Sequence, residues 1–320
     1  MRVLIASSLY PQKIEELKEK HDVVCAFNAS DEVLKKEIKD REVLIFRSGV
    51  QITAEVMESA PNLELLIRAG SGTDNIDLEY VKKRGLKLIR VPEPGAKAVA
   101  ELAFGFMLDL ARNILNADRE WRQGHWVKTK YTGYLLRGKT LGIVGAGNIG
   151  SLVGEMGAAW GMTAIGCIEH EITPKVIDRL AKRNVRLTDF EEVITTSDFI
   201  CLHVPKHDSS LNLINADVLS RVKKGSYLIN LARGGVVNEK DLYDALTKGD
   251  RLRGAAMDVH QYEGEGNISP LADLHNVVLT PHMGAQTIDS QREIGDRVEE
   301  ILEAHMAEKT EPAVAAAEVG

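Results

Sequence analysis

Three polar side chains late in the chain stand where chemistry is possible. Arg233 follows the apolar run of "LINLARGGVV", Glu263 lies in "AAMDVHQYEGEG", and His282 ends the run in "VVLTPHMGA". An arginine fork binds a carboxylate bidentately. An imidazole moves a proton near neutral pH, and a buried glutamate beside it holds the ring and favours its charged form. Asp258 is placed on the strand before Glu263. Together these are the parts needed to oxidise a 2-hydroxy acid. Each alone has an ordinary explanation: a surface ion pair, a satisfied polar histidine, a solvated glutamate. Their arrival after successive strands makes the joint reading the stronger one.

A second chemistry-bearing stretch lies mid-chain. "GAGNIG" gives Gly145, Gly147 and Gly150 a G-x-G-x-x-G spacing between an apolar run and a helical one. In such a turn the first glycine bends the chain, the second admits a pyrophosphate, and the third brings helix and strand together. The free N–H groups of the following helix then face the phosphates. The acidic residue that would hold the adenosine ribose is due about 20 residues on, and Glu169 stands there. No arginine follows it in sequence to hold a 2′-phosphate, so NAD is favoured over NADP.

The elements that must position these groups alternate along the whole chain. Apolar runs at 2–7, 21–27, 43–48, 63–70 and 86–91 predict five strands, with helices at 11–20, 31–39, 53–59 and 75–84. A Pro/Gly break at "VPEPGAKAVAE" precedes one long helix through residue 121. Six further strands follow from "TLGIVGAG" to "VVLTPH". Near-continuous apolar strands between amphipathic helices predict an α/β fold of two doubly wound parallel-sheet domains.

The bulk numbers agree with a globular protein of 320 residues, 44% apolar and 27% charged. A net charge of −7 with dispersed lysines and arginines argues against nucleic-acid binding. The longest apolar stretch, 102–108, is too short to span a bilayer, and the N-terminal run reads as a strand rather than a signal peptide. Cys25, Cys167 and Cys201 fit reduced, buried thiols of a cytoplasmic protein. "EKTEPAVAAAEVG" reads as a loose tail.

The motifs quoted above, with "RSGVQIT", "IRAGSGTDNIDLEYVKKRG", "RQGHW", "CLHVP" and "NVVLTPHMGAQT", resemble the D-isomer-specific 2-hydroxyacid dehydrogenases, most closely their phosphoglycerate dehydrogenase branch. The likeness covers about residues 1–305. It implies a substrate domain, flavodoxin-like, of residues 1–96 plus 286–320, and a Rossmann-type NAD-binding domain of residues 97–285, with the active site in the cleft. It implies Arg233, Glu263 and His282 as the catalytic trio. Ser71, Gly145, Gly147, Asn148, Ile149 and Gly150 would contact NAD, with Glu169, Val204, Leu231, Ala232, Arg233, Asp258, His282 and Gly284. Arg47, Ser48, Gly70, Ser71, Gly72, Arg233 and His282 would meet the substrate, and no metal is implied.

For 3-phosphoglycerate, the entry substrate of serine biosynthesis, further cations would be needed. Arg47, Arg68 and Lys97 are the candidates. A glyoxylate or hydroxypyruvate reductase shares the trio without a phosphate site, and a non-catalytic NAD-sensing interaction protein is compatible with the same residues. The resemblance implies a homodimer through the cofactor domain, using the long helix and the "RQGHW" arm; the apolar Phe104, Phe106, Met107 and Leu110 around that helix, with Trp121 and Trp126 after it, fit one. Some relatives carry C-terminal regulatory modules; none is expected here, nor is control by serine through one. Four positions depart from the family pattern: Ile168 where the cofactor acid is expected, Gly264 for proline, Gly95 for asparagine and His260 for phenylalanine.

Overall fold

The computed structural model describes residues 1–169 and 172–317, with side chains to residue 309. It divides into two compact units, Met1–Gly95 with Ala285–Gly320, and Ala96–Gly284.

The first unit holds five parallel strands, β1 (Arg2–Ile5), β2 (Asp22–Cys25), β3 (Val43–Phe46), β4 (Leu65–Arg68) and β5 (Lys87–Arg90), in the order β2-β1-β3-β4-β5. This is the flavodoxin-like order. Central strands such as "VLIF" are buried on both faces, so alternation gives two cores rather than one wet face. Val3, Ile5, Val43, Ile45, Leu65 and Ile67 pack on the helices Pro11–Lys20 and Ile288–Ala317. Leu4, Leu44, Phe46 and Leu66 pack on the opposite side with Leu34, Val56 and Met57. Lys13 joins the two covering helices through Glu16, Asp296 and Glu299, which hold its ammonium well above the usual lysine range.

The second unit holds seven parallel strands: β6 (Thr140–Val144), β7 (Thr163–Cys167), β8 (Val185–Leu187), β9 (Phe199–Leu202), β10 (Ser226–Asn230), β11 (Leu252–Met257) and β12 (Val277–Leu279). Their order, β12-β11-β10-β9-β6-β7-β8, is the doubly wound order with one strand added. The order reverses between β6 and β9, where ligands of such sheets bind.

Several expectations need correction. β8 was not foreseen among the six strands: it is three residues long with Arg186 at its centre. The long helix is two, Glu93–Arg112 and Ile114–Arg122, because Asn113 takes a left-handed φ of 54°. Phe104, Phe106, Met107 and Leu110 are buried in the chain's own core, so they leave no apolar face for a partner. Cys25 is exposed at the end of edge strand β2, while Cys167 and Cys201 are buried. The expected tail is helical as far as Ala317, in keeping with its alanines; residues 318–320 lie outside the described residues. No described helix is long and apolar enough to cross a membrane.

Candidate active site

The site is built from the register of the seven-stranded sheet. Val144, Leu202, Asn230, Met257 and Leu279 end their strands side by side. The loops that follow therefore leave one edge together, carrying Gly145, Val204, Arg233, Asp258 and His282 in neighbouring positions. Asp258 stands one residue past β11 rather than on it.

At the glycine turn the three residues do different work. Gly145 has φ 92°, and a Cβ there would lie 2.8 Å from the His203 carbonyl. A Cβ at Gly150 would lie 2.4 Å from the Gly145 oxygen, so glycine lets the helix Asn148–Ala159 start against the turn. Gly147, by contrast, meets nothing within 4 Å. The protein alone gives no steric reason for glycine at that position; a phosphate approaching the helix N-terminus would. Glu169, two residues past β7, accepts from Ser209 Oγ at 2.6 Å, and its other oxygen lies 3.4 Å from His207 Nε2. Arg179 folds back from its helix to donate to the Ala146 carbonyl of the turn at 3.2 Å. Sequence spacing alone reveals none of these three partners.

Beyond β10, Asn230 is fully buried and organises the arginine turn: its Oδ1 accepts from Ala232 N, and its Nδ2 donates to the Arg233 carbonyl. Arg233 Nη1 donates to the Ala232 carbonyl at 2.7 Å. Gly234 then lies against the next loop so closely that a Cβ would stand 1.8 Å from the His260 oxygen. This contact brings the arginine turn onto the segment that carries Glu263.

Beyond β11 and β12 the polar groups interlock. Asp258 is 2% exposed, and its carboxylate accepts from Thr280 Oγ1 at 2.6 Å, Met283 N at 2.9 Å and Gly284 N at 2.8 Å. Its carbonyl accepts from His282 N at 2.7 Å. These bonds fold the 280–284 loop around Asp258 and hold His282 at φ 53°, a conformation rare outside glycine and found at constrained sites. The Asp258 carboxylate is thus engaged with three donors of the loop, which makes it a clamp for the histidine.

His282 Nδ1 meets Glu263 Oε2 at 2.8 Å, and Glu263 Oε1 accepts from His260 N at 3.1 Å. Glu263 is not the buried group the sequence suggests; its side chain is 39% exposed. Its partial burial pushes the carboxyl up, but the His282 bond and the His260 N–H bring it net below the usual range. An ionised Glu263 accepting from Nδ1–H leaves His282 Nε2 for a substrate. Two neighbouring histidines are not equivalent. His260 Nε2 is bonded to the Thr280 carbonyl. The ring nitrogens of His203 are buried without partners among the described residues, and burial pushes its pKa down to about 3, so it stays neutral near neutral pH. Among the described residues no group of three or more His, Cys, Asp or Glu could hold a metal.

In the first unit, the loops after β3 and β4 also leave adjacent strand ends, since Phe46 and Arg68 are in register. Arg68 is buried and its Nε donates to the Gly72 carbonyl, bracing Gly70–Gly72. Asn75, unremarked in the sequence, donates to the carbonyls of Arg47 and Val50 and so ties the Arg47–Ser48 loop to this one. Arg47 has no carboxylate partner among the described residues; its Nη1 reaches Gln286 Oε1 at 3.5 Å, and burial pushes its pKa down. Lys97 falls in the other unit, on the helix Glu93–Arg112.

This arrangement of glycine turn and polar loops has known counterparts. Residues 104–284 match the family described as D-isomer specific 2-hydroxyacid dehydrogenase, NAD binding domain. The chain belongs to this family. Among the dehydrogenase relatives, a D-3-phosphoglycerate dehydrogenase of Methanocaldococcus jannaschii is 36% identical over 312 residues, 96% of this chain. The chain spans 59% of that relative's length. A hydroxypyruvate reductase of Thermotoga maritima is 37% identical, over 89% of this chain and 91% of its own. A D-lactate dehydrogenase of Aquifex aeolicus, solved with NAD and lactic acid, superposes with a TM-score of 0.84 at 28% identity, covering 97% of this chain and 96% of its own.

Proposed function

We propose that the protein is an NAD-dependent D-2-hydroxyacid dehydrogenase whose acid–base group is His282. The observation that carries this reading is the 2.8 Å contact of His282 with Glu263 beside the Arg233 turn, on the sheet edge that also bears the glycine turn. When bound at this turn, NAD would supply the hydride acceptor for oxidation at C2, and NADH the donor for reduction. His282 removes the hydroxyl proton in oxidation and supplies it in reduction. Glu263 accepts from Nδ1–H and so fixes the ring with Nε2 toward the substrate. Arg233 receives the substrate carboxylate, and the amides of Gly70–Gly72 are a second carboxylate-binding element. The helix N-terminus at Asn148 and the space at Gly147 suit the pyrophosphate, and Glu169 suits the ribose hydroxyls of NAD. A 2′-phosphate would meet the Glu169 carboxylate, although Arg179 sets a cation at the same turn.

The substrate we favour is 3-phosphoglycerate, which places the enzyme in serine biosynthesis. The support is Arg47, a half-buried guanidinium without a carboxylate partner among the described residues and suited to a second anion. Hydroxypyruvate is the second reading, favoured by the near full-length match to a hydroxypyruvate reductase. Turnover of 3-phosphoglycerate, hydroxypyruvate and glyoxylate with NAD(H) and NADP(H) separates them. Arg47→Ala should raise KM for 3-phosphoglycerate at least about tenfold, the scale of losing one charge-assisted hydrogen bond, and leave hydroxypyruvate within about twofold. Equal effects on both would remove Arg47 from phosphate recognition. Tight NADH binding without turnover of any 2-keto acid would instead point to a non-catalytic NAD sensor.

We also propose a homodimer through the second unit, resting on the Trp121–Trp126 arm rather than on the buried side chains of the preceding helix. Trp121 and Trp126 pack edge to face at 5.2 Å yet are 58% and 77% exposed. Exposed Ile114 and Leu135 belong to the same stretch of chain. Large exposed aromatics of this kind mark interfaces. Trp126→Glu is expected to convert the dimer to a monomer in light scattering; a monomeric wild type would end the proposal.

A further inference from the structure

The segment carrying Glu263 has little of its own to hold it still. It contains Gly264 at φ 118° and Gly266 at φ 84°, and Tyr262 and Ile268 are mostly exposed. Glycine leaves such a loop conformationally free. The 2.8 Å reach from Glu263 to His282 nevertheless requires a fixed carboxylate.

A second carboxylate closes the segment from outside. Glu239, the first residue of the helix Glu239–Thr247, is only 4% exposed. Its Oε1 accepts from Gln261 N at 2.7 Å and its Oε2 accepts from Ser269 Oγ at 3.3 Å. The two oxygens therefore bridge both arms of the loop, with Glu263 between them. Within the bridge, Asn267 Nδ2 donates to the Glu263 carbonyl and His260 N to its carboxylate. Glu239 is not needed to cap its own helix, because Asn238 does so through Asp241 N at 3.1 Å. A buried carboxylate is costly unless its bonds are made, and both of these bonds go to the loop.

We infer that Glu239 is a positioning residue for the acid–base pair: by bridging Gln261 and Ser269 it holds Glu263 against His282. This rests on the reading of Glu263 and His282 given above. The test is a double-mutant cycle in the full-length protein, reading hydroxypyruvate reduction by NADH. E239A and E263Q should each lower kcat at least about tenfold, within the range of acid–base contributions. If Glu239 acts through Glu263, E239A/E263Q should fall within about twofold of E263Q alone. E239Q, which keeps an acceptor for Gln261 N, should recover to within about threefold of wild type, and NADH affinity should be unchanged in all.

A readout independent of turnover is the His282 Nδ1 resonance by 15N NMR, assigned by its loss in H282N: its chemical shift, which reports the bond to Glu263, should change in E239A in the same direction as in E263Q. Should E239A fail to fold, E239D takes its place, because the shortened carboxylate cannot span both donors. Additive losses, or an unmoved His282 Nδ1 resonance in the substituted protein, would overturn the inference while leaving the trio intact. Wild-type kcat in E263Q, or a wild type inactive on hydroxypyruvate with no Glu263-dependent His282 Nδ1 resonance, would overturn the underlying reading instead.

Discussion

His282→Asn is expected to lower kcat for the physiological substrate at least about a hundredfold, the lower end of what a positioned acid–base group contributes. Asparagine is the substitution to use because of the backbone. His282 sits at φ 53°, and asparagine adopts that region more readily than alanine. The clamp on its N–H by the Asp258 carbonyl therefore survives, and the variant loses a proton-moving ring without losing its loop. Steady-state kinetics and NADH fluorescence titration measure the two sides of the claim. Turnover should collapse while NADH affinity stays within about threefold. A fall of less than about tenfold would remove His282 from the acid–base role.

Asp258→Ala is expected to be the most destabilising single change near the site. It strands the Thr280 hydroxyl and two backbone N–H groups, Met283 and Gly284, where a Cβ on Gly284 would already lie 3.0 Å from the carboxylate. Each unsatisfied buried group costs about 1–3 kcal/mol, so a total of about 3 kcal/mol or more is expected. In a domain of this size that lowers Tm by roughly 6–12 °C. Asp258→Asn keeps the shape but turns one acceptor into a donor, and should lose about half as much. Scanning calorimetry decides: a Tm change under about 3 °C for the alanine variant would show that the clamp is not what holds the loop.

Much of the fold was legible because parallel strands buried on both faces leave near-continuous apolar runs, as "VLIF", "FICL" and "SYLIN" do. β8 escaped because three residues make no period. The helix break at Asn113 escaped because asparagine fits a helix until its φ turns positive. In the site, Arg233, Glu263 and His282 were legible because each stands a few residues past an apolar run. Their supports were not. Glu239, Ser209 and Arg179 act through partners brought close only by the fold, up to 40 residues away in the case of Ser209 and Glu169, and Asn230 through the turn residues two and three along the chain. For Asp258 the sequence gives type and place but not the three donors on its carboxylate.

The split of the first unit bears on how the protein is made. Its fifth strand ends at Arg90, yet Ile294, Val298 and Leu302, which cover one side of its sheet, come from the helix that begins at Ile288. About 190 residues intervene, a delay of roughly 10–40 s at ribosomal speeds of about 5–20 residues per second. Throughout that interval Val3, Ile5, Val43 and Ile45 have only the helix Pro11–Lys20 on that side and await the rest of their cover, while the contiguous stretch Ala96–Gly284 is already being completed. The nascent chain therefore finishes its middle before its beginning, and its greatest exposure to aggregation or chaperone capture falls on the earliest strands translated.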